Sequence, residues 1–132
     1  MSLINFLKLE VVLAAHKLQL DLFGGAPGIR DQAGLESALL QPQASWGGSY
    51  LYQSVFDMAA VYAYHLAESQ AFVDGNKRTA LHAALLFLAI NGYEIESDDS
   101  RLYDAMINIM LNIITISHYE KLRDNLINST LD

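Results

Sequence analysis

The feature that most limits the fold of this chain is a nearly uninterrupted apolar segment at residues 79–90. A helix of this composition is hydrophobic on almost every side, so it is stable only where other elements surround it. The segment contains His82 and is shorter than the roughly 20 residues needed to cross a bilayer. It therefore predicts the buried central helix of a soluble domain without a membrane span.

Helical spacing and end signals predict five further helices packed around this one. Asp31 is a candidate N-cap, and Ser54 with Asp57 and Ser117 with Glu120 resemble capping boxes. The six predicted helices run over about residues 4–23, 31–40, 54–70, 76–90, 98–114 and 117–128. Short connections join them, which predicts an all-α fold with a single domain over residues 1–132.

Composition narrows the possible functions of this domain. The chain has no cysteine, which excludes a disulfide scaffold, a thiolate zinc site and a cysteine nucleophile. Its net charge of −7 argues against a direct nucleic-acid partner, since such proteins are usually basic. The N-terminus shows no secretory signal, so the expected location is the cytoplasm.

The segment 41–53 differs from the predicted helices because it contains two glycines and several aromatic residues. We interpret it as a small surface flap, although an ordinary ordered loop fits the same composition. Its notable side chains are Trp46, Ser49, Tyr50 and Tyr52.

The stretch whose residues best fit a chemical role is the turn that opens the central helix. Gly75 allows the backbone to approach a ligand closely, and the first N–H groups of a helix, with the positive end of its dipole, form an anion site. Lys77 and Arg78 oppose that dipole unless an anion such as a phosphate binds beside them. The pattern therefore favours a phosphate site, although a solvated turn between two helices has the same composition.

Two neighbouring residues complete this interpretation. Asp74 is a candidate ligand for Mg²⁺, which commonly binds one or two carboxylates together with the phosphate oxygens of the substrate. Phe72 is flanked by small and apolar residues and is predicted to be a structural anchor in the core.

Residues 70–78 resemble the Fic/Doc motif H-x-F-x-(D/E)-(G/A)-N-(G/K)-R. The matching residues are Phe72, Asp74, Gly75, Asn76, Lys77 and Arg78. Residues 24–31 and 34–38 are similar to the upstream signature of the death-on-curing branch, and residues 79–92 to its central helix. The resemblance covers roughly residues 5–125. It implies a six-helix bundle around a buried central helix, with a small flap.

The resemblance also implies an activity. Lysine at position 77 is typical of the death-on-curing branch, a group of toxins that transfer a phosphoryl group from ATP, with Mg²⁺, to a threonine of elongation factor Tu. Asp74 would serve Mg²⁺, Gly75 and Asn76 would bind phosphate, and Lys77 and Arg78 would neutralise the transferred group. The flap would align the target peptide. An antitoxin of the Phd type is the implied partner.

The first motif position departs from the family because Gln70 replaces the histidine that acts as general base. A glutamine amide cannot accept a proton at ordinary pH, and losing a positioned base typically costs about 10²–10⁴ in rate. Gln70 is compatible with an inactivating change, a natural variant of weak or redirected activity, or a binding-only relative. Three functions thus stay open: a protein kinase, an AMP-transferase acting on a protein hydroxyl, and a catalytically dead antitoxin-binding module.

The remaining histidines offer no obvious substitute for the missing base. His65 lies five residues before Gln70 and is expected to point away from it around the helix. His82 is predicted to be a core residue, and His16 and His118 are isolated in the sequence. No spacing typical of a zinc site is present.

Overall fold

The computed structural model of the chain describes residues 3–93, and over that range the fold is mostly helical. Its elements are α1 (Leu9–Phe23), α2 (Gln32–Leu40), a 3₁₀ turn (Gln41–Gln43), β1 (Ser45–Trp46), β2 (Ser49–Tyr50), α3 (Val55–Glu68) and α4 (Asn76–Ile90). The two helices predicted after residue 97 lie outside the described residues. No helix between residues 3 and 93 is long and apolar enough to cross a membrane.

Three of the predicted helix starts are confirmed, and each has a local cause. The Asp31 side chain accepts a hydrogen bond of 2.8 Å from the Gly34 N–H, which caps α2. Ser54 caps α3 in the same way by accepting a bond of 3.0 Å from the Asp57 N–H. Helix α4 begins after Gly75, as predicted.

The predicted start of α1 at residue 4 is wrong, because the helix begins only at Leu9. Lys8 is extended, and the residues before it make hydrogen bonds to distant parts of the chain instead of helical ones. The Asn5 side chain donates to the Ile90 carbonyl (3.2 Å), and the Leu7 N–H donates to the Tyr62 hydroxyl (3.0 Å). Tertiary contacts therefore override the helical spacing of this segment.

The core lies mainly between α3 and α4. Small residues on both helices are fully buried, which lets the two backbones approach closely: Ala59, Ala60 and Ala63 on α3, and Ala80, Ala83 and Ala84 on α4. Tyr62 and Phe87 fill the remaining space, with ring centroids 5.0 Å apart. Burial raises the pKa of the Tyr62 phenol to about 12. Helix α4 is thus buried as predicted, but it shares the centre with α3.

The predicted surface flap contains a short antiparallel hairpin. Ser45 pairs with Tyr50 and Trp46 with Ser49, and two glycines with positive φ form the turn between them. The Tyr50 ring contacts Phe6 edge-on, with centroids 5.5 Å apart. The Trp46 side chain projects from the other end of the hairpin and is 83% exposed.

Candidate functional site

A cavity of about 320 Å³ opens where α3 ends and α4 begins. Eight residues line it: Ala67, Gln70, Val73, Asp74, Gly75, Asn76, Lys77 and Arg78. Every residue that the sequence predicted for phosphate, metal or catalysis is among them. None of the eight is a histidine.

The start of α4 offers free backbone donors to this cavity. Gly75 is the N-cap in the left-handed region (φ 78°), and its carbonyl accepts the first helical bond from the Thr79 N–H (3.0 Å). Within the described residues the N–H groups of Asn76, Lys77 and Arg78 have no hydrogen-bond acceptor. Three unpaired donors at the positive end of a 15-residue helix form an anion-binding arrangement.

Asn76 braces the turn with its side chain. Its amide nitrogen donates to the Phe72 carbonyl (2.9 Å), and its amide oxygen accepts from the Phe72 N–H (3.0 Å). Both ends of the amide are therefore engaged, while the backbone N–H of Asn76 stays free to contact a phosphate.

Phe72 is buried as predicted, with 2% of its surface exposed, and it stacks on a residue that sequence reasoning treated as isolated. The His16 ring lies parallel to the Phe72 ring, with centroids 3.8 Å apart. Because a carbonyl oxygen only accepts, the His16 Nε2–H donates to the Asp74 carbonyl, at 2.8 Å. The only sequence signal for this role was a polar residue on the apolar face of α1.

The loop between α1 and α2 forms backbone hydrogen bonds with the motif loop (residues 70–78). The Ala71 carbonyl accepts from the N–H groups of Arg30 (2.7 Å) and Asp31 (3.0 Å), and the Gly28 carbonyl accepts from the Val73 N–H (3.0 Å). The two segments thus form an antiparallel bridge centred on Ile29 and Phe72. This pairing gives the glycine-rich upstream segment a structural role behind the cavity.

Asp74 is exposed, but its carboxylate is already oriented. One oxygen accepts from the Gly75 N–H (2.9 Å) and the other from the Ala26 N–H (3.3 Å). A side chain at Gly25 would crowd this group, since a Cβ there would lie 2.9 Å from the second oxygen. The carboxylate still has free lone pairs that can bind a cation.

The described residues contain no group of three or more acidic or histidine side chains that would hold a metal by themselves. One accessible carboxylate next to an anion site does fit a Mg²⁺ ion that arrives with phosphate oxygens as its other ligands. Asp74 would hold such an ion, which would supply positive charge to the phosphates.

The two predicted cations differ in how they are held. Arg78 lies with its guanidinium carbon 4.3 Å from the centroid of the Phe23 ring, in a cation–π contact that fixes its direction. Lys77 is exposed beside it. Both line the cavity, where they add positive charge to that of the helix end.

Gln70 also lines the cavity. Its φ is positive (47°), and it is the only non-glycine residue with positive φ in the described part of the chain. Arg30 Nη2 donates both to the backbone carbonyl of Gln70 (2.8 Å) and to the side-chain oxygen of Gln70 (3.2 Å). His65 is half-buried on α3, where burial lowers its pKa, and it does not line the cavity.

The four residues predicted to align a target lie outside this cavity. Trp46 and Ser49 are exposed on the hairpin, and Tyr50 and Tyr52 are half-buried. None of them is among the lining residues, so their predicted role stays a prediction.

Comparison with known proteins identifies the domain. The sequence model of the Fic/DOC family matches residues 6–88, a range that includes the cavity and the segments that brace it. The chain belongs to the Fic/DOC family. This membership confirms the resemblance carried by residues 70–78.

Two relatives of this Fic/DOC chain have names that state an activity. Toxin Doc of Mycolicibacterium smegmatis (strain ATCC 700084 / mc(2)155) is 42% identical over 94 residues, which is 71% of this chain and 70% of the relative. Protein kinase doc of Escherichia phage P1 is 32% identical over 108 residues, which is 82% of this chain and 84% of the relative.

Proposed function

We propose that this protein is a Doc-type toxin whose cavity binds the phosphates of ATP and transfers the γ-phosphoryl group to a hydroxyl side chain of a protein. The observation that carries the proposal is the convergence of three unpaired helical N–H groups, two cations and one carboxylate on a single cavity. The names Toxin Doc and Protein kinase doc of the two relatives support it. Elongation factor Tu is the proposed target.

Each lining residue has a defined task in this proposal. The N–H groups of residues 76–78 hold phosphate oxygens, and the helix dipole adds to their attraction. Lys77 and Arg78 neutralise charge that spreads over the transferred group, which is the main electrostatic requirement of phosphoryl transfer. Asp74 holds Mg²⁺, which supplies further positive charge when it is bound with ATP.

Proton removal from the target hydroxyl is the step that the lining residues do not support. Gln70 stands at the position of the family's general base, and its amide does not accept a proton. We therefore propose that ATP binds while transfer is slower by about 10²–10⁴ than with a histidine at position 70.

The absence of a general base at Gln70 favours a second function, in which the protein acts mainly as a partner for an antitoxin of the Phd type. A segment of such an antitoxin would fold as a helix on the toxin, which is a known mode of coupled folding and binding. In that case nucleotide binding would persist without measurable transfer.

Transfer of label to elongation factor Tu tests these functions together. The protein is incubated with the factor and with ATP labelled at the γ or the α phosphate. Label from the γ position supports the kinase, label from the α position supports an AMP-transferase, and the absence of both supports the binding module.

The informative variant is Gln70→His. Histidine is among the residues that most readily adopt positive φ, so this change suits the backbone at position 70. We expect γ-label transfer to increase about 10²–10⁴-fold. Arg78→Ala in the same background is the control and should abolish the gain. Equal labelling by the Gln70→His variant and the unsubstituted chain would contradict the role given to position 70.

A further inference from the structure

We infer that Arg30 and Gln70 act as a pair, in which Arg30 is a positioning residue that turns the Gln70 amide so that its NH₂ group donates a hydrogen bond to a phosphate oxygen in the cavity. The side chain at position 70 thereby binds the terminal phosphate of a nucleoside di- or triphosphate. The inference rests on the proposed function, because it needs a nucleotide phosphate at this site.

The backbone at position 70 is the first support. Helix α3 ends at Glu68, and Gln70 follows it in the left-handed region, where glutamine has no particular preference. The bond of 2.8 Å from Arg30 to the Gln70 carbonyl helps hold this conformation. The Arg30 backbone is itself held, because its N–H donates to the Ala71 carbonyl.

The side chains give the second support. A guanidinium has only donors, so the Gln70 atom 3.2 Å from Arg30 Nη2 must be the amide oxygen. The amide nitrogen is then the atom directed away from Arg30. It has no acceptor among the described residues, although the Gln70 side chain lines the cavity.

The character of the cavity gives the third support. The other groups predicted to bind phosphate are the N–H groups of residues 76–78 and the cations Lys77 and Arg78, all of which are donors. The Asp74 carboxylate also lines the cavity, where it would bind Mg²⁺. The neutral NH₂ group of Gln70 adds one more donor to this set, and it can bind a phosphate oxygen without taking up or releasing a proton. The pair therefore favours retention of a nucleotide over turnover.

Calorimetric titration with Mg·ADP and Mg·ATP tests the pair. Gln70→Met keeps the side-chain length and removes the donor, and we expect the dissociation constant to rise about tenfold, the usual loss for a hydrogen bond to a charged group. Arg30→Met should raise it about threefold to tenfold by releasing the amide. Lys8→Met removes the same charge from an exposed residue that does not line this cavity, and it should change the constant less than twofold.

The double variant distinguishes positioning from a separate contribution. Because Arg30 is inferred to act through Gln70, Arg30→Met combined with Gln70→Met should bind no more weakly than Gln70→Met alone. In ¹⁵N–¹H spectra, the side-chain NH₂ signals that are missing from Gln70→Met should shift when the unsubstituted chain binds Mg·ADP. Thermal unfolding confirms that each variant is folded.

Three outcomes would overturn the pair: unchanged affinity in Gln70→Met, full additivity in the double variant, or NH₂ signals that do not move. If nucleotide binds the unsubstituted chain and Arg78→Ala weakens the binding while Gln70→Met does not, the pair fails and the proposed function stands. If no nucleotide binds the unsubstituted chain, both fail.

Discussion

The motif loop (residues 70–78) and the hairpin (residues 45–50) are held in opposite ways. In the loop, the Phe72 N–H and carbonyl are bonded to Asn76, and the backbone of its neighbours is bonded to the α1–α2 loop. The hairpin has one short strand pair, the contact between Tyr50 and Phe6 and a bond from the Gln53 side chain to the Tyr50 carbonyl, and Trp46 is 83% exposed.

This difference matches what each region has to do in the proposed function. Stabilising charge on a phosphoryl group requires donors that are already in place, because moving them costs energy at the moment of reaction. A surface that receives an extended protein segment has no such requirement. We therefore expect substitutions in the loop to affect stability and nucleotide binding together, and substitutions in the hairpin to leave nucleotide binding unchanged.

The largest expected effect is that of Asn76→Ala. It leaves the Phe72 N–H and carbonyl without partners in a partly buried position, so we expect the free energy of unfolding to fall by about 2–4 kcal/mol. The matched change beside the hairpin is Gln53→Ala, which removes an exposed hydrogen bond to the Tyr50 carbonyl and should cost less than about 1 kcal/mol. Urea unfolding measures the loss of stability in both variants, and equal losses would contradict the expected difference between the loop and the hairpin.

The next largest effect is that of Gly25→Ala. The new Cβ would lie at 2.9 Å from the Asp74 carboxylate and at 2.9 Å from Leu20, at a φ of +127° that strains any residue with a side chain. We expect a loss of about 1–3 kcal/mol, and a weaker dependence of ATP binding on Mg²⁺ because Asp74 is displaced.

Gly48→Ala provides the control for Gly25→Ala in the hairpin. Gly48 has a φ of +85° but open space around a Cβ, so it should show backbone strain without any change in Mg²⁺ dependence. If both variants changed the Mg²⁺ dependence of ATP binding equally, displacement of Asp74 would not be the cause, and this result would contradict the role of Asp74 as a Mg²⁺ ligand.

Acid should weaken the helices that carry the loop. Burial lowers the pKa of His65 on α3 and of His82 on α4 below the ordinary value of 6.5, while the hairpin contains no histidine. Below about pH 6.5 the unfolded chain therefore binds more protons than the folded chain, and the free energy of unfolding falls as the pH decreases. The urea midpoint should be lower at pH 5.5 than at pH 7.5, and His82→Gln should reduce that difference. A pH dependence that His82→Gln leaves unchanged would contradict this assignment.

The smallest effect on stability is expected for Trp46→Ala. The side chain is so exposed that its removal should change the free energy of unfolding by less than about 0.5 kcal/mol. In the Gln70→His background we expect labelling of the target to decrease severalfold while the affinity for Mg·ATP stays the same. A parallel loss of nucleotide affinity would show that the hairpin and the cavity are not separate.

Local signals were enough to predict the helices that carry the site. Asp31 and Ser54 cap α2 and α3, and Gly75 precedes α4, because each signal acts within a few residues. The start of α1 was wrong because the Asn5 side chain bonds to the Ile90 carbonyl, 85 residues away. Strands of two residues are too short to produce an alternating pattern, so the segment 41–53 was predicted only as a flap.

Sequence-based prediction of the cavity was limited in the same way, because local signals do not reveal long-range contacts. The lining residues of the cavity all lie within residues 67–78. The turn chemistry predicted Asp74, Gly75, Lys77 and Arg78, and the family resemblance added Gln70 and Asn76. The residues behind the cavity were missed because they come from other elements. His16 reaches the Asp74 carbonyl across 58 positions, and Arg30 reaches Gln70 across 40. Nothing near either residue in the sequence indicates these contacts.

Titration of the ¹⁵N-labelled protein with Mg·ATP tests the central claim most directly. We predict that the backbone amide signals of Asn76, Lys77 and Arg78 shift most, and that Arg78→Ala weakens the binding at least tenfold, as expected for a lost charge-assisted contact. If these three signals stayed in place while nucleotide bound elsewhere, or if no signal moved at all, the start of α4 would not be a phosphate site.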